Sequence, residues 1–245
     1  MSEPTAQQTT PRTALVTGAT RGIGRAVAQE LARDHVVLVG GRSTADVERV
    51  REELAGLGPG TRAFVADVSD DAAVAAAWAP LRDEFAALNV LVHSAGIAPQ
   101  AAVAEASRET WERIFDVNVV SVAQLTRLTL PELRAARGDV VAINSGSGFT
   151  SRASSALYSG SKFALRALTD ALREEERENG VRVTSVHPGR VATDMQEELH
   201  EHMGQPYRPE EWIQPEQIAA AVRLAVDAQR TSEVEVITVR PSGMR

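Results

Sequence analysis

Seven short apolar runs rich in β-branched residues alternate with longer segments of helical periodicity, and this alternation restricts the fold more than any other feature. The runs lie at residues 14–17, 36–39, 63–66, 90–93, 140–143, 181–186 and 234–239. The helix-patterned segments include residues 23–33, 45–57, 71–87 and 109–137. Strands that are apolar along their whole length are typical of a parallel sheet covered on both faces. We therefore predict a doubly wound α/β fold with a seven-stranded, mostly parallel sheet and helices on both faces.

The composition is consistent with one domain and limits the classes of molecule that the protein is expected to bind. The chain has 245 residues, of which 43% are hydrophobic, and no linker or internal repeat divides it. We predict a disordered polar tail at residues 1–11 and one domain at residues 12–245. The net charge of −7 argues against nucleic acid or an anionic membrane as partner. Without cysteine, a signal-like start or a long apolar run, we expect a cytoplasmic protein with no membrane partner.

A glycine-rich stretch, Thr17-Gly-Ala-Thr-Arg-Gly-Ile-Gly24, joins the first predicted strand to the first predicted helix. Glycines at positions 18, 22 and 24 allow a tight turn and let the backbone approach a pyrophosphate at the helix N-terminus. A purely structural turn is the alternative, but the position between strand and helix favours a dinucleotide site.

The residues after the second predicted strand indicate which dinucleotide binds. An acidic residue at this point usually bonds the ribose of NAD, whereas this chain has Gly40-Gly41-Arg42-Ser43 and no acid before Asp46. Arg42 and Arg21 could instead clasp a 2′-phosphate, unless both are ordinary surface arginines. We predict NADP(H) as the preferred cofactor, with NAD(H) as the alternative.

Tyr158 and Lys162 form the most distinctive pair in the chain. Lys162 is the only lysine among 26 basic residues, and Tyr158 is one of two tyrosines. On a helix beginning near Leu157, residues four apart share a face, so both groups can meet one bound molecule. A nearby cation lowers the pKa of a phenol and makes it a better proton-transfer group at neutral pH. The charge run at 173–178 at the end of this helix looks like a solvated face.

Together these residues resemble the short-chain dehydrogenase/reductase family, whose motifs occur here in order from residue 13 to about residue 194. The matching residues are Thr17-Gly-x-x-x-Gly-Ile-Gly24, Asp67-Val68, His93-Ser-Ala-Gly96, Asn118, Ser145, Tyr158-x-x-x-Lys162, Pro188-Gly189 and Thr193. The resemblance implies a Rossmann fold and an oxidoreductase that transfers hydride between a nicotinamide and a carbonyl or secondary alcohol.

The resemblance also implies a role for each matching residue. Tyr158 would be the proton donor or acceptor, Lys162 would bind the nicotinamide ribose, and Ser145 would bond the substrate oxygen. Asn118 would position a water molecule that relays protons to Lys162. The catalytic set is therefore Asn118, Ser145, Tyr158 and Lys162. The implied cofactor-binding residues are Gly18, Thr20, Arg21, Gly22, Ile23, Gly24, Gly41, Arg42, Ser43, Asp67, Val68, Ser94, Ala95, Gly96, Asn118, Tyr158, Lys162, Pro188, Gly189, Val191 and Thr193.

The chain departs from the family pattern at His93-Ser94, where the family usually has two asparagines. We interpret His93 as a buried, hydrogen-bonded residue rather than a catalytic one. A hydrolase with Ser145 as nucleophile is disfavoured, because Ile143 stands where the Gly-x-Ser-x-Gly turn needs glycine. A metal site at His200 and His202 is disfavoured because their spacing alternates faces of a helix, so we predict no metal.

Residues 194–212 read as an irregular connection, either a lid over the substrate or an exposed loop. Met195, Met203, Tyr207 and Trp212 are its candidate lining residues.

Two other functions stay open at this point: an NADP(H)-binding sensor without turnover, and an isomerising or dehydrating relative. The resemblance further implies a homotetramer or dimer built on residues 109–137 and 158–177, acting on a small-molecule substrate.

Overall fold

The computed structural model describes residues 11–204 and 206–243, so nearly all of the predicted tail lies outside the described residues. The strands are β1 Arg12–Val16, β2 His35–Gly41, β3 Thr61–Val65, β4 Val90–His93, β5 Asp139–Ile143, β6 Arg182–Pro188 and β7 Val236–Val239. The helices are α1 Gly22–Leu31, α2 Thr44–Leu54, α3 Asp71–Glu84, α4 Arg108–Phe115, α5 Ser121–Ala136, α6 Ala156–Glu176, α7 Asp194–Met203 and α8 Pro215–Val226. None of these helices is long and apolar enough to cross a bilayer.

The seven strands form one sheet in the order β3-β2-β1-β4-β5-β6-β7. Every pairing between these strands is parallel, which confirms the predicted doubly wound fold. The strand order reverses at β1, which pairs with β2 on one side and β4 on the other. Val16 near the end of β1 is in register with Val39 and Val92. The carboxyl ends of the central strands therefore open a crevice at this reversal, where ligands of such sheets bind.

Both faces of the sheet are buried, because successive side chains of each strand point to opposite sides. In β1, Ala14 and Val16 belong to one apolar cluster and Leu15 to another. The first cluster includes residues of α1 and α8, and the second packs Trp78 of α3 beside residues of α5 and α6. This two-sided burial explains why the predicted strands read as continuous apolar runs.

The helix predicted at 109–137 is interrupted in the structure. A π-helical turn, Asp116–Val120, separates α4 from α5. Asn118 lies within this turn and bonds both backbone groups of Ile97 in a distant loop. Such π turns often occur at functional sites.

Residues 194–212 are more regular than the sequence predicts. The first half forms α7, which Gly204 ends in the left-handed conformation at φ 61°. Tyr207 packs edge-on against Trp212 at 4.9 Å, and Trp212 is buried. The prediction of an irregular segment is therefore wrong for its first half, because tertiary packing stabilises a helix of weak local pattern. The side chain of Met203 lies outside the described residues.

The charge run at 173–178 is not wholly solvated. Arg173 is buried and donates from Nε to the carbonyl of Val183 at 2.9 Å. Glu176 is also buried and pairs with Arg134 at 2.6 Å. These two buried charged groups therefore connect α6 to β6 and to α5.

Candidate active site

A cavity of about 850 Å³ opens at the carboxyl ends of the strands, at the predicted edge of the sheet. Most of the residues predicted from the sequence line it. They are Gly18, Thr20, Arg21, Gly22, Ile23, Gly24, Gly41, Arg42, Asp67, Val68, Ser94, Ala95, Gly96, Tyr158, Lys162 and Thr193. The cavity is long enough to join the glycine-rich turn to the Tyr-Lys pair.

The glycine-rich turn has the geometry that a phosphate site needs. Gly18 and Gly22 have φ of 63° and 54°, where side chains are disfavoured. A Cβ on Gly18 would lie 2.9 Å from the backbone of Ala95. No side chain caps the start of α1, so the N-terminal amides of this helix remain able to bind an anion.

Thr17 fastens this turn to the neighbouring strand loop. Its Oγ1 accepts hydrogen bonds from the backbone amides of Ser94 and Ala95 at 3.1 and 3.2 Å. The sequence motif contains Thr17, but only the pairing of β1 with β4 shows what its hydroxyl does.

At the end of the cavity formed by β2 and β3, exposed Arg42 is paired with half-buried Asp67. The Nη1 of Arg42 lies 3.7 Å from Oδ2 of Asp67. Partial burial raises the pKa of Asp67, but hydrogen bonds from Ser69 and the charge of Arg42 outweigh it and hold that pKa below its usual value. Ser43 does not line the cavity; its hydroxyl caps α2 by accepting from the amide of Asp46.

Arg21 does not share a partner with Arg42. Its Nη1 lies 2.7 Å from Oε1 of Glu198 and 4.0 Å from Asp194, both on α7. The phosphate clasp expected from two arginines is therefore not assembled in this structure, although both arginines line the cavity.

At the opposite end, Lys162 is buried and Tyr158 lies beside it. The Nζ of Lys162 donates to the carbonyl of Ile143 at 2.9 Å and lies 5.7 Å from the centre of the Tyr158 ring. Burial lowers the pKa of Lys162 to about 8. Burial also raises the pKa of Tyr158, while a hydrogen bond with Ser145 lowers it. The net direction is upward, opposite to the expected effect of Lys162, because desolvation of the phenol dominates.

Asn118 uses its amide to join three parts of the site. Its Oδ1 accepts from the amide of Ile97 and its Nδ2 donates to the carbonyl of Ile97, both at 2.9 Å. Nδ2 also donates to Ser161 at 3.0 Å, next to Lys162 in α6. These bonds fix the loop after β4 against α6. The expected water relay stays a prediction.

Several predicted residues do not line the cavity: Asn118, Ser145, Pro188, Gly189 and Val191. Val191 is buried and pairs with Ile213 in an isolated bridge. Val191 therefore packs in the core, two residues before the lining residue Thr193.

Met195, a predicted lining residue of the 194–212 segment, also lines the cavity. A second set of lining residues was not predicted from the sequence, and its largest group comes from α4 and the π turn. They are Gly40, Phe64, Ala66, Ser69, Ile97, Glu109, Glu112, Arg113, Phe115, Asp116, Val117, Val120, Ile143, Asn144 and Asp194. Asn144 was detectable beside Ser145, but the wall formed by α4 depends on tertiary packing.

His93 lies in β4 and is buried, with Nε2 2.9 Å from Oγ1 of Thr126. Burial lowers its pKa to about 3, so the ring is neutral. These observations agree with the interpretation of His93 as a hydrogen-bonded core residue.

His200 packs on Trp212 with ring centres 4.8 Å apart. In the part of the chain that the structure describes, no group of three or more His, Asp or Glu side chains is arranged to hold a metal.

Comparison with known proteins identifies relatives along almost the whole chain. The family model for short chain dehydrogenases matches residues 12–204. An uncharacterized oxidoreductase of Staphylococcus epidermidis is 30% identical over 94% of this chain and 97% of its own. The human dehydrogenase/reductase SDR family member 11 is 30% identical over 99% of this chain and 98% of its own.

Solved structures give the same result. An alcohol dehydrogenase from the archaeon Thermococcus sibiricus, complexed with 5-hydroxy-NADP, superposes with a TM-score of 0.86 at 28% identity, covering 96% of this chain and 98% of its own. A metagenomic short-chain oxidoreductase in complex with NADP has a TM-score of 0.81 at 28% identity, covering 95% and 98%.

Proposed function

Because the chain belongs to the short chain dehydrogenase family, an NAD(P)-dependent oxidoreductase family, we propose that its domain at residues 12–245 reduces a carbonyl or oxidises a secondary alcohol, with NADP(H) as preferred cofactor. The observation that carries this proposal is the meeting of Tyr158 and Lys162 at one wall of a cavity whose other wall is the glycine-rich turn. Ser145, which bonds Tyr158, completes the group that would bind the substrate oxygen.

The cavity fits a dinucleotide by its size and donors. Its volume of about 850 Å³ falls within the range of cofactor sites. The uncapped N-terminus of α1 would hold the pyrophosphate, and Asp67 would meet the adenine. Lys162 would bind the nicotinamide ribose.

When bound, the nicotinamide exchanges a hydride with the substrate carbon, and the protein controls the accompanying proton. Tyr158 donates that proton to the carbonyl oxygen as the oxygen gains negative charge. The Ser145 hydroxyl orients the oxygen, and the ammonium of Lys162 stabilises the phenolate that remains. The raised pKa keeps Tyr158 protonated near neutral pH, which is the form that donates a proton during carbonyl reduction.

The preference for NADP(H) rests on charge at the adenosine end. Arg42 is exposed and lines the cavity beyond β2, where no acidic residue of that strand competes for the ribose. Arg21 lines the same cavity and can exchange its carboxylate partners on α7 for a phosphate. Two relatives of known structure carry NADP or a derivative of it.

Hydride transfer is the direct test. Purified protein is mixed with NADPH and a panel of ketones, aldehydes and quinones, and a reactive substrate is then used with NADPH deuterated at C4. Deuterium at the former carbonyl carbon of the product is expected. Tight NADPH binding without turnover on the whole panel would instead favour a sensor.

An exposed apolar side chain supports the further proposal of a homo-oligomer. Phe163 on α6 is 44% exposed. It lies in one of the two helical regions expected to form the contact, and covering it would bury apolar area. Light scattering at micromolar concentration should give a mass above 26.3 kDa. A monomer would reject this part of the proposal.

We also propose a cytoplasmic location, which is consistent with the lack of cysteine.

A further inference from the structure

Beneath Ser145, three buried polar side chains form a connected ladder that the proposed chemistry does not use. Nδ1 of His187 lies 2.9 Å from the carbonyl oxygen of Ser145, and its Nε2 lies 2.9 Å from Oγ of Ser185. Asn144 donates from Nδ2 to the same Ser185 hydroxyl at 3.4 Å. All three side chains belong to residues that are at most 3% exposed.

The ladder has one direction of hydrogen bonding. A carbonyl oxygen only accepts, so Nδ1 of His187 must carry the proton. The neutral ring then leaves Nε2 as an acceptor, which the Ser185 hydroxyl satisfies by donating to it. The oxygen of Ser185 is left to accept from Asn144. Each of the three contacts thus has a defined donor and acceptor, whereas Oδ1 of Asn144 has no hydrogen-bond partner among the described residues.

The surroundings keep His187 neutral. Burial lowers its pKa most, the bond to the Ser145 carbonyl raises it, and three cations lower it further. The cations are Arg166 and Lys162 of α6 and Arg240 after β7. The ring of Phe149 packs against the imidazole of His187 with the ring centres 4.3 Å apart. The guanidinium of Arg166 lies over the ring of Phe149. Nη1 of Arg240 donates to the carbonyl of His187.

His187 holds the peptide that follows Ser145 by binding its carbonyl oxygen. One residue before Ser145, the amide of Asn144 donates to the carbonyl of Val186 in β6 at 2.7 Å. The hydroxyl of Ser145 accepts from the amide of Ser147 at 3.1 Å, and its interaction with Tyr158 lowers the pKa of that phenol. Anchoring the backbone at these points limits the positions that the Ser145 hydroxyl can take relative to Tyr158.

We propose that His187, with Ser185 and Asn144, is a positioning residue that holds the Ser145 hydroxyl against Tyr158. The kinetic consequence rests on the proposed oxidoreductase function, whereas the hydrogen-bond directions and the coupling to Tyr158 do not.

The tautomer is tested first, by long-range ¹H–¹⁵N spectra of protein labelled in its five histidines. The signal lost in His187→Asn identifies His187. We expect a protonated Nδ1 and an unprotonated Nε2 at pH 7.5, since the pKa of His187 lies below its usual value. A protonated Nε2, or a cationic ring at this pH, would overturn the ladder.

The coupling is tested by following the tyrosine ring carbons of labelled protein from pH 7 to 11.5. His187→Leu removes the bond to Ser145, so the Tyr158 titration should move to higher pH. His187→Asn restores a donor near the position of Nδ1, so the Tyr158 titration should move back toward that of the unmodified protein. His93→Leu, which removes another buried imidazole outside the ladder, should leave Tyr158 unchanged. If His187→Leu does not fold, Ser185→Ala breaks the next step and should shift Tyr158 in the same direction. An unmoved Tyr158 in the folded variant would reject the proposal.

Turnover gives the third readout once a substrate is known. His187→Leu should lower kcat by about 10-fold to 100-fold while KM and NADPH affinity stay within about threefold, because misplacing a catalytic group by about 1 Å has effects of this size. A proportional loss of NADPH binding would indicate general damage to the fold and contradict a positioning role. Absence of turnover in the unmodified protein would reject the proposed oxidoreductase function. The spectra would still show whether His187 has the predicted tautomer and whether it affects the Tyr158 titration.

Discussion

The two ends of the cavity hold their charges in opposite ways. At the adenosine end, the side chains of Arg42 and Asp67 are 70% and 43% exposed and lie 3.7 Å apart. At the catalytic end, Lys162 is 6% exposed and bonds a backbone carbonyl at 2.9 Å. Exposed ion pairs contribute little and exchange partners easily, whereas buried polar groups are costly to leave unpaired. The cavity therefore has an adjustable end at Arg42 and a fixed end at Lys162, which we propose to bind the adenosine and the reacting groups, respectively.

Because of this difference, substitutions at the two ends should have different effects on catalysis and on cofactor binding. Changes at the fixed end should alter mainly the rate of the chemical step, because geometry there is set by buried hydrogen bonds, and should alter cofactor affinity only through the ammonium of Lys162. Changes at the adjustable end should alter the choice and affinity of cofactor, because single charges act there through solvent.

The largest effect in this comparison should come from Lys162→Met, which removes the buried ammonium and keeps much of the side-chain volume. We expect kcat/KM to fall by about 100-fold or more, since both ribose binding and phenolate stabilisation are lost. Lys162→Arg is the matched control: it keeps the charge but places a planar fork in a site shaped for a compact group, so it should rescue little. Steady-state assays within threefold of the unmodified protein would remove Lys162 from the mechanism.

The pH dependence of NADPH binding should follow the same residue. Burial lowers the pKa of Lys162 to about 8, so its ammonium is charged below that pH and neutral above it. The dissociation constant should therefore rise above about pH 8, by at most about tenfold per pH unit. Fluorescence titrations from pH 6.5 to 9.5 measure this rise. The same alkaline rise in Lys162→Met would show that another group causes it.

At the adjustable end, Arg42→Ala should weaken NADPH by about 10-fold to 100-fold and leave NADH nearly unchanged, since a charge-assisted bond to the 2′-phosphate is lost. Arg62→Ala, on β3 and paired with Glu84, is the control for losing an exposed arginine. Equal losses for both cofactors in Arg42→Ala would exclude a phosphate contact.

The smallest effect should come from Glu198→Gln, which releases Arg21 from its exposed partner on α7. We expect NADPH to bind up to about threefold more tightly, because the 2′-phosphate no longer competes with a carboxylate for Arg21. Calorimetry resolves a change of this size. Weaker binding would mean that the ion pair with α7 supports the site instead of competing with it.

The sequence predicts the parts of the site that depend on local pattern. The strands appear as apolar runs, the turn at Gly18 needs residues that tolerate positive φ, and Tyr158 and Lys162 are one helical turn apart. Each of these follows from neighbouring residues alone.

Other parts depend on contacts between distant residues, which no local pattern shows. Asn118 lies in a π turn and bonds Ile97, and Arg21 pairs with Glu198 of α7. Arg173 looks solvated in sequence but meets the carbonyl of Val183. The upward shift of the Tyr158 pKa likewise reflects burial, which only the fold determines.

The central claim is that Tyr158 supplies the proton at a fixed site while the cofactor binds independently of it. Measuring NADPH affinity and single-turnover NADPH oxidation side by side in Tyr158→Phe tests this claim most directly. The account predicts an affinity within about threefold of the unmodified protein and a rate at least about 100-fold lower. A nearly unchanged rate in that variant would contradict it.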